Sequence, residues 1–364
     1  MQRKQALKIG ILTFHRCINY GSYWQARCLA EGLQSAGHHV EILDHHSSII
    51  NLKEWKCAYR PTLPAPSREA DYPLYRLKME KFFEAFASLP LSPRFSLYHP
   101  QQMNRYDVAV VGSDEVWNLL HPWYGNFPLF YGEGLRAERV ISYAASFGNY
   151  PAIWGLSEEW SRRLNNFDSI SVRDENSWWL VKNATGQECP IELDPCLQFD
   201  IKVPRANVAK EEKYIAVYGH NFTVDFVQQA KSAAARKNLP LISIGYYNNW
   251  TDDNIIDAGP VEFAQFISAA AGVLTNFFHG CVFSLRFQKP FACEASNYRS
   301  NKVQGLMTLL DGMHHFFNAG ENDFIEKTLS KPITQRLLQN IEKLSRQSQE
   351  FLAESLDKDQ LQVA

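Results

Sequence analysis

The sequence predicts an α/β chain of two doubly wound, Rossmann-like domains followed by a C-terminal helix. Three observations carry that reading. Short apolar runs of strand type alternate with stretches of helical period from residue 8 to residue 194. The alternation lapses into a polar stretch with Pro204 over residues 200–213, and a second alternating series begins at 214. The division follows as residues 1–203, 204–330 and a helical tail over 331–364. A ligand site is expected in the cleft between two such domains, because loops gather at the carboxyl ends of parallel strands.

Residues 8–14 form the first strand, a polar loop runs to Gly21, and Trp24, Cys28, Leu29 and Leu33 sit at helical spacing over 22–36. Gly37 stops that helix and 39–44 is the next strand, which completes one βαβ unit. Strand signals recur at 106–112, 139–145, 168–173 and 191–194, with helical stretches at 156–165 and 175–182. Residues from about 45 to 100 read as an insertion, with Pro61, Pro64 and Pro66 in a loop and a helix over 72–86. The second series places strands at 214–219, 241–245 and 272–276 and helices at 223–237, 261–271 and 279–288. Lys289-Pro290-Phe291 leads into a last short strand, and 334–356 has helical period and much charge.

Composition narrows the function. Of 364 residues, 45% are apolar and 21% charged, an ordinary globular balance that supports a large core without staples. Lys+Arg 37 against Asp+Glu 39 leaves a net charge of −2, which argues against nucleic acid as the main partner. Seven cysteines, odd in number and without a C-x-x-C pair, read as reduced thiols of a cytoplasmic protein. Residues 263–285 lack Asp, Glu, Lys and Arg, but Gln265, Asn276, His279 and a break at Gly272 fit a buried helix and strand better than a membrane span.

Four places carry candidate chemistry. In Asn19-Tyr20-Gly21-Ser22 a helix N-terminus follows the first strand, either facing an anion or simply turned by Gly21 and capped by Ser22. No G-x-G-x-x-G is present, so nothing indicates NAD or FAD. In Gly112-Ser113-Asp114, Asp114 is a candidate base or sugar-hydroxyl ligand and Trp117 a sugar-stacking ring; the alternative is an Asp cap with Trp117 in the core. Arg173 ends a strand, as an anion clamp or as an ion-pair partner of Asp174 or Glu175. His279-Gly280 sits at a strand-to-helix turn where a backbone approaches a ligand closely, against the common alternative of a satisfied core histidine. The pairs His38-His39, His45-His46 and His314-His315 lack zinc-site spacing and read as surface residues, and Asp357-Lys358-Asp359 lies in a charged tail, so no metal site is expected.

Taken in order, several segments resemble the polysaccharide pyruvyl transferase family. They are Ile11-Leu-Thr-Phe-His15 with Asn19-Tyr-Gly21, Gly112-Ser-Asp-Glu-Val-Trp-Asn118, Ser142-Tyr-Ala-Ala-Ser146 and Ser171-Val-Arg-Asp-Glu175. Leu193-Asp-Pro-Cys-Leu197, Thr275-Asn-Phe-Phe-His-Gly280 with Phe287-Gln-Lys-Pro290, and Arg299-Ser-Asn-Lys-Val303 continue the series, over about residues 8–320. The resemblance implies a GT-B-like fold and transfer of pyruvate from phosphoenolpyruvate, as co-substrate, onto two sugar hydroxyls as a ketal. It implies His279 as general acid, Arg173 and Asp114 as further catalytic residues, and Arg299, Ser300 and Lys302 as a basic loop near the donor. Asn19, Tyr20, Gly21, Ser113, Trp117, Gly280 and Arg286 complete the expected substrate-binding set. Phe277 stands where some members carry an Arg, and Arg286 is the residue that could compensate. No metal or further cofactor is implied; the acceptor is a glycan or lipid-linked sugar, which allows peripheral membrane contact. The rival readings are a GT-B glycosyltransferase with a nucleotide-sugar donor and a non-catalytic sugar- or anion-binding homologue.

Overall fold

The computed structural model describes residues 6–63, 65–203, 214–295 and 300–357. Pro64, the stretch 204–213 that contains the expected domain boundary, Arg299 and Lys358-Asp359 lie outside the described residues, as do the side chains of Ser300 and Asn301.

The first domain opens with β1 (Lys8–Leu12), α1 (Tyr20–Ser35) and β2 (His39–Ile42). α1 starts two residues earlier than its periodicity suggests, because Asn19 rather than Ser22 is the cap: its side chain accepts from Ser22 N at 3.2 Å. The insertion holds β3 (His45–His46), α2 (Ser48–Tyr59), α3 (Tyr72–Ala87) and β4 (Phe95–Ser96). α2 was not legible, since its first-turn Ile49 and Leu52 are exposed and its apolar positions make no stripe. β5 (Tyr106–Val111) and β6 (Ala137–Ser142) complete a parallel sheet in the order β2-β1-β5-β6. The expected strands at 168–173 and 191–194 are only single bridges, Ile141 to Ser169, Ala145 to Val172 and Val172 to Ile191, that extend this edge. α4 (Glu158–Arg163), α5 (Glu175–Thr185) and α6 (Pro195–Gln198) follow.

The second domain holds β7 (Ile215–Tyr218), α7 (Val224–Lys237), β8 (Leu241–Ile244) and β9 (Asp253–Ile255). α8 (Pro260–Ala269), β10 (Gly272–Thr275), α9 (Phe278–Arg286) and β11 (Phe291–Cys293) complete a parallel sheet in the order β11-β10-β7-β8-β9. α10 (Ser300–Leu309), α11 (Phe324–Leu329) and α12 (Gln335–Ser355) close the chain. Two all-parallel, doubly wound domains make the fold Rossmann-like and GT-B-like. No helix among the described residues is long and apolar enough to cross a membrane.

One core runs through both domains along α1. Tyr20 stacks on Phe263 at 4.3 Å and donates to Ala258 O at 2.7 Å, and Trp24 Nε1 donates to Pro260 O at 2.9 Å. These three contacts bury aromatic area and satisfy the polar tips at once, so the interdomain seam is buried and directional. All seven cysteines are free thiols, and all but Cys57 are buried. Two of the expected surface histidines are core residues: His45 bonds Thr13 O at 2.9 Å, and His315 stacks on Phe291 at 4.2 Å.

α12 returns to the first domain. Ser348 Oγ accepts from Leu193 N at 3.1 Å, and the buried Arg139 donates to the carbonyls of Ser355, Leu356 and Asp357 at 3.0, 3.2 and 2.9 Å. A guanidinium against the free carbonyls of a helix C-terminus is favoured by both hydrogen bonding and the helix dipole. Replacing it strands those carbonyls. Arg139→Met is expected to lose about 2–4 kcal/mol in denaturant unfolding and to speed amide exchange in the last turn of α12.

Candidate functional site

Between the domains lies a cleft of about 360 Å³ whose walls come from both sheets and from the insertion. The first domain supplies Asn19 and Ser22 from the start of α1, Asp114 and Glu115 after β5, and Arg173. The second supplies Phe277, Phe278 and His279 after β10 and Lys302 on α10, while α2 and α3 supply Glu54 and Lys78.

Asp194 organises one wall. It caps α6, accepting from Cys196 N at 2.9 Å through Oδ1. Its Oδ2 accepts from Arg173 Nη1 at 2.8 Å and lies 3.4 Å from His279 Nε2. Burial alone would raise this carboxyl, but His279 and Arg173 outweigh it and hold it well below the usual range. The Arg173 side chain is 4% exposed, with Nη2 3.6 Å from Asp114 Oδ1 and the guanidinium 4.6 Å from the Phe278 ring centre. Its ion-pair partners are thus Asp194 and Asp114, not Asp174, which instead caps α5. Asp114 adopts φ +78°, accepts from Ser22 Oγ at 2.7 Å, and so ties the β5 loop to α1.

The His279 ring is wedged between Asp194 and Gly21. A Cβ built on Gly21 would lie 1.9 Å from His279 Nδ1, so only glycine leaves room for the imidazole at that position. On the same rim Lys302 pairs with Glu115, which Asn118 Nδ2 also holds at 2.8 Å; against the effect of burial, Lys302 keeps Glu115 below its usual range.

Two ionisable groups come from the insertion and were missed in the sequence. Glu54 on α2 is buried in the cleft wall, accepts from Ile18 N at 3.0 Å, and is pushed up to about 7 by burial. Lys78 on α3 donates to Gly245 O at 2.9 Å and is pushed down to about 7 by burial. Each is one of several charged positions on its helix, and nothing in the spacing sets it apart from a solvated side chain.

Of the expected site residues, Asn19, Asp114, Arg173, His279 and Lys302 line the cleft. Others do not. Trp117 is fully buried, donates to Phe130 O at 2.8 Å and packs on Phe147 and Phe167, so it is core rather than a stacking platform. Ser113 is fully buried and donates to Ala144 O at 2.9 Å. Tyr20 is spent on the interdomain seam, and a Cβ at Gly280 would meet Thr275 Oγ1 at 2.0 Å, so that glycine serves helix-on-strand packing. Arg286 pairs with Asp200 in a separate groove and supplies no charge to the cleft. Phe277 packs edge-on against Tyr218, His220 and Tyr246.

Asp194, Cys196 and His279 bring a carboxylate, a thiol and an imidazole within 4.8 Å of one another, a possible ligand set for a cation. The chemistry does not favour it. Arg173 already occupies the same Asp194 oxygen, so a metal there would lie against a fixed positive charge, and burial pushes the Cys196 thiol up and away from the thiolate a metal needs.

The family model described as polysaccharide pyruvyl transferase matches residues 19–298, which includes every cleft residue named above except Lys302. No curated protein matches the chain. Similar solved structures include the calicheamicin glycosyltransferase CalG4 (10% identity, 100% of each chain covered, TM-score 0.44). A Methanocaldococcus jannaschii UDP-GlcNAc 2-epimerase has 13% identity, covers 95% of this chain and 100% of its own, and has a TM-score of 0.44. The E. coli heptosyltransferase WaaC has 10% identity, covers 92% of this chain and 99% of its own, and has a TM-score of 0.40.

Two expectations follow from the geometry. Glu54 binds its proton more tightly folded than unfolded, so its contribution is full below 4.5 and is lost as pH rises through about 7. Glu54→Gln is therefore expected to flatten the fall in stability over that window and to gain about 1–3 kcal/mol at pH 8, read from urea curves at three pH values. Gly21→Ala is expected to displace His279 and to lower stability by about 1–3 kcal/mol despite the better helix propensity of Ala, with the His279 ring resonances shifted in NMR.

Proposed function

Because the chain belongs to the polysaccharide pyruvyl transferase family, we propose that it moves the pyruvyl group of phosphoenolpyruvate onto two hydroxyls of one sugar, closing a ketal. The acceptor in this reading is a surface polysaccharide or its lipid-linked precursor, met at the cytoplasmic face. The observation that carries the reading is the meeting of the cleft-lining Arg173 and His279, from different domains, on one Asp194 carboxylate buried behind them.

The residues suit the steps. His279 gives a proton to the methylene carbon of the donor, and Asp194 balances the charge the ring carries before that transfer. The neighbouring carbon becomes electrophilic and one sugar hydroxyl adds to it, its proton passing to a cleft carboxylate, Asp114 in this reading. Phosphate then leaves and the second hydroxyl closes the ketal. One hydroxyl proton ends on the new methyl group, by way of His279, and the other leaves with phosphate. Arg173 and Lys302 steady the donor's anionic groups. The steps as written call for no metal and no further cofactor.

The test is calorimetric titration of the full chain with phosphoenolpyruvate and, separately, with a panel of nucleotide sugars. Phosphoenolpyruvate is expected to bind, and Lys302→Ala to weaken it about tenfold or more. His279→Asn is expected to keep that binding while phosphate release with a glycan acceptor falls about 10²–10⁴-fold. Binding of a nucleotide sugar with no binding of phosphoenolpyruvate would replace this reading with glycosyl transfer.

A further inference from the structure

We propose that Lys78 forms an anion-binding subsite of its own in the cleft, one that takes a phosphate or carboxylate group of a small-molecule substrate; this rests on the cleft being the active site. Lys78 is 6% exposed yet lines the cleft. Its ammonium has three protons to give. One goes to Gly245 O at 2.9 Å, and the rings of Tyr20 and Tyr246 lie 4.8 Å away. Among the described residues it forms no ion pair with a carboxylate, and the push on its titration comes from burial alone. A buried cation without a counter-charge is costly, and two aromatic faces offset only part of that cost.

Arg173 and Lys302, the other fixed cations of the cleft among the described residues, are each already offset by carboxylates: Asp194 and Asp114 for the first, Glu115 for the second. An arriving anion therefore gains most beside Lys78. A purely structural role is already filled on the same helix. Lys81, one turn further along α3, reaches the second domain and pairs with Asp257 at 3.1 Å and Glu262 at 2.8 Å. The aromatic wall that holds Lys78 is continuous with Phe277 and His220 of the second domain, so an anion seated there would touch groups from both domains.

The experiment is thermal unfolding of the full chain, without ligand and with inorganic phosphate, pyruvate or phosphoenolpyruvate, for wild type, Lys78→Met and Lys78→Arg. Any anion that binds the folded state raises its melting temperature. Wild type is expected to shift with phosphate or with pyruvate, and which of the two acts says which anionic group the subsite takes. Lys78→Met is expected to melt at or above the wild-type temperature without ligand, because the uncompensated charge is gone, and to lose that shift. Lys78→Arg is expected to keep part of it. An unchanged shift in Lys78→Met would overturn the proposal. So would a Lys78→Met chain that melts far below wild type or fails to fold, since that marks a strut, or a wild type that responds to no anion. A Lys78-dependent shift with phosphate or pyruvate, but none with phosphoenolpyruvate, would uphold the subsite and remove the donor assignment.

Discussion

The arrangement of the cleft hangs on one buried carboxylate. Asp194 is brought to its place by the turn that starts α6, where its other oxygen caps the helix. From there it fixes Arg173 of its own domain and faces His279 of the other. Arg173 would be costly at this depth without a carboxylate beside it, because burial strips a charge of its water. The carboxylate is in turn held ionised by the two groups it serves. Each member is thus a condition for the others, and the wall is built as a unit rather than as a set of separable contacts.

Around that unit the domains are joined by a seam that leaves little freedom. α1 lies along it, with Tyr20 and Trp24 spending their polar tips on carbonyls of the second domain. The same helix begins at the cleft, where Gly21 makes room for His279 and Ser22 holds Asp114. One helix therefore sets both the packing between domains and the spacing of the reactive groups. A shift along it would disturb the two together.

Much of this could be read from residues alone. Alternation of strand and helix period identified both sheets, because a parallel strand covered on both faces is apolar throughout and stands out in a mixed chain. His279, Arg173 and Asp114 were visible because each interrupts or ends such a run. The same cue misled at Ser113 and Trp117, where polar tips at the strand end turn inward and are satisfied by carbonyls. Asp194 could be noticed only as part of a short Leu-Asp-Pro-Cys-Leu segment; that it meets both Arg173 and His279 depends on contacts across 21 residues and across the domain boundary. Glu54 and Lys78 were beyond reach, since whether a charge on these helices faces solvent or a cleft is decided by where the insertion folds back.

The return of α12 to the first domain sets an order on biosynthesis. Domains emerging from a ribosome generally fold as units, the earlier before the later. Here the first domain lacks its closing helix until Ser348 and Ser355 have been made, because only then can Leu193 and Arg139 find their partners. Among the described residues the second domain has all of its strands by Cys293. The part of the protein translated first is therefore the last to be completed, and a nascent chain that ends between Leu329 and Ser348 would carry the second-domain core beside a first domain without its closing helix.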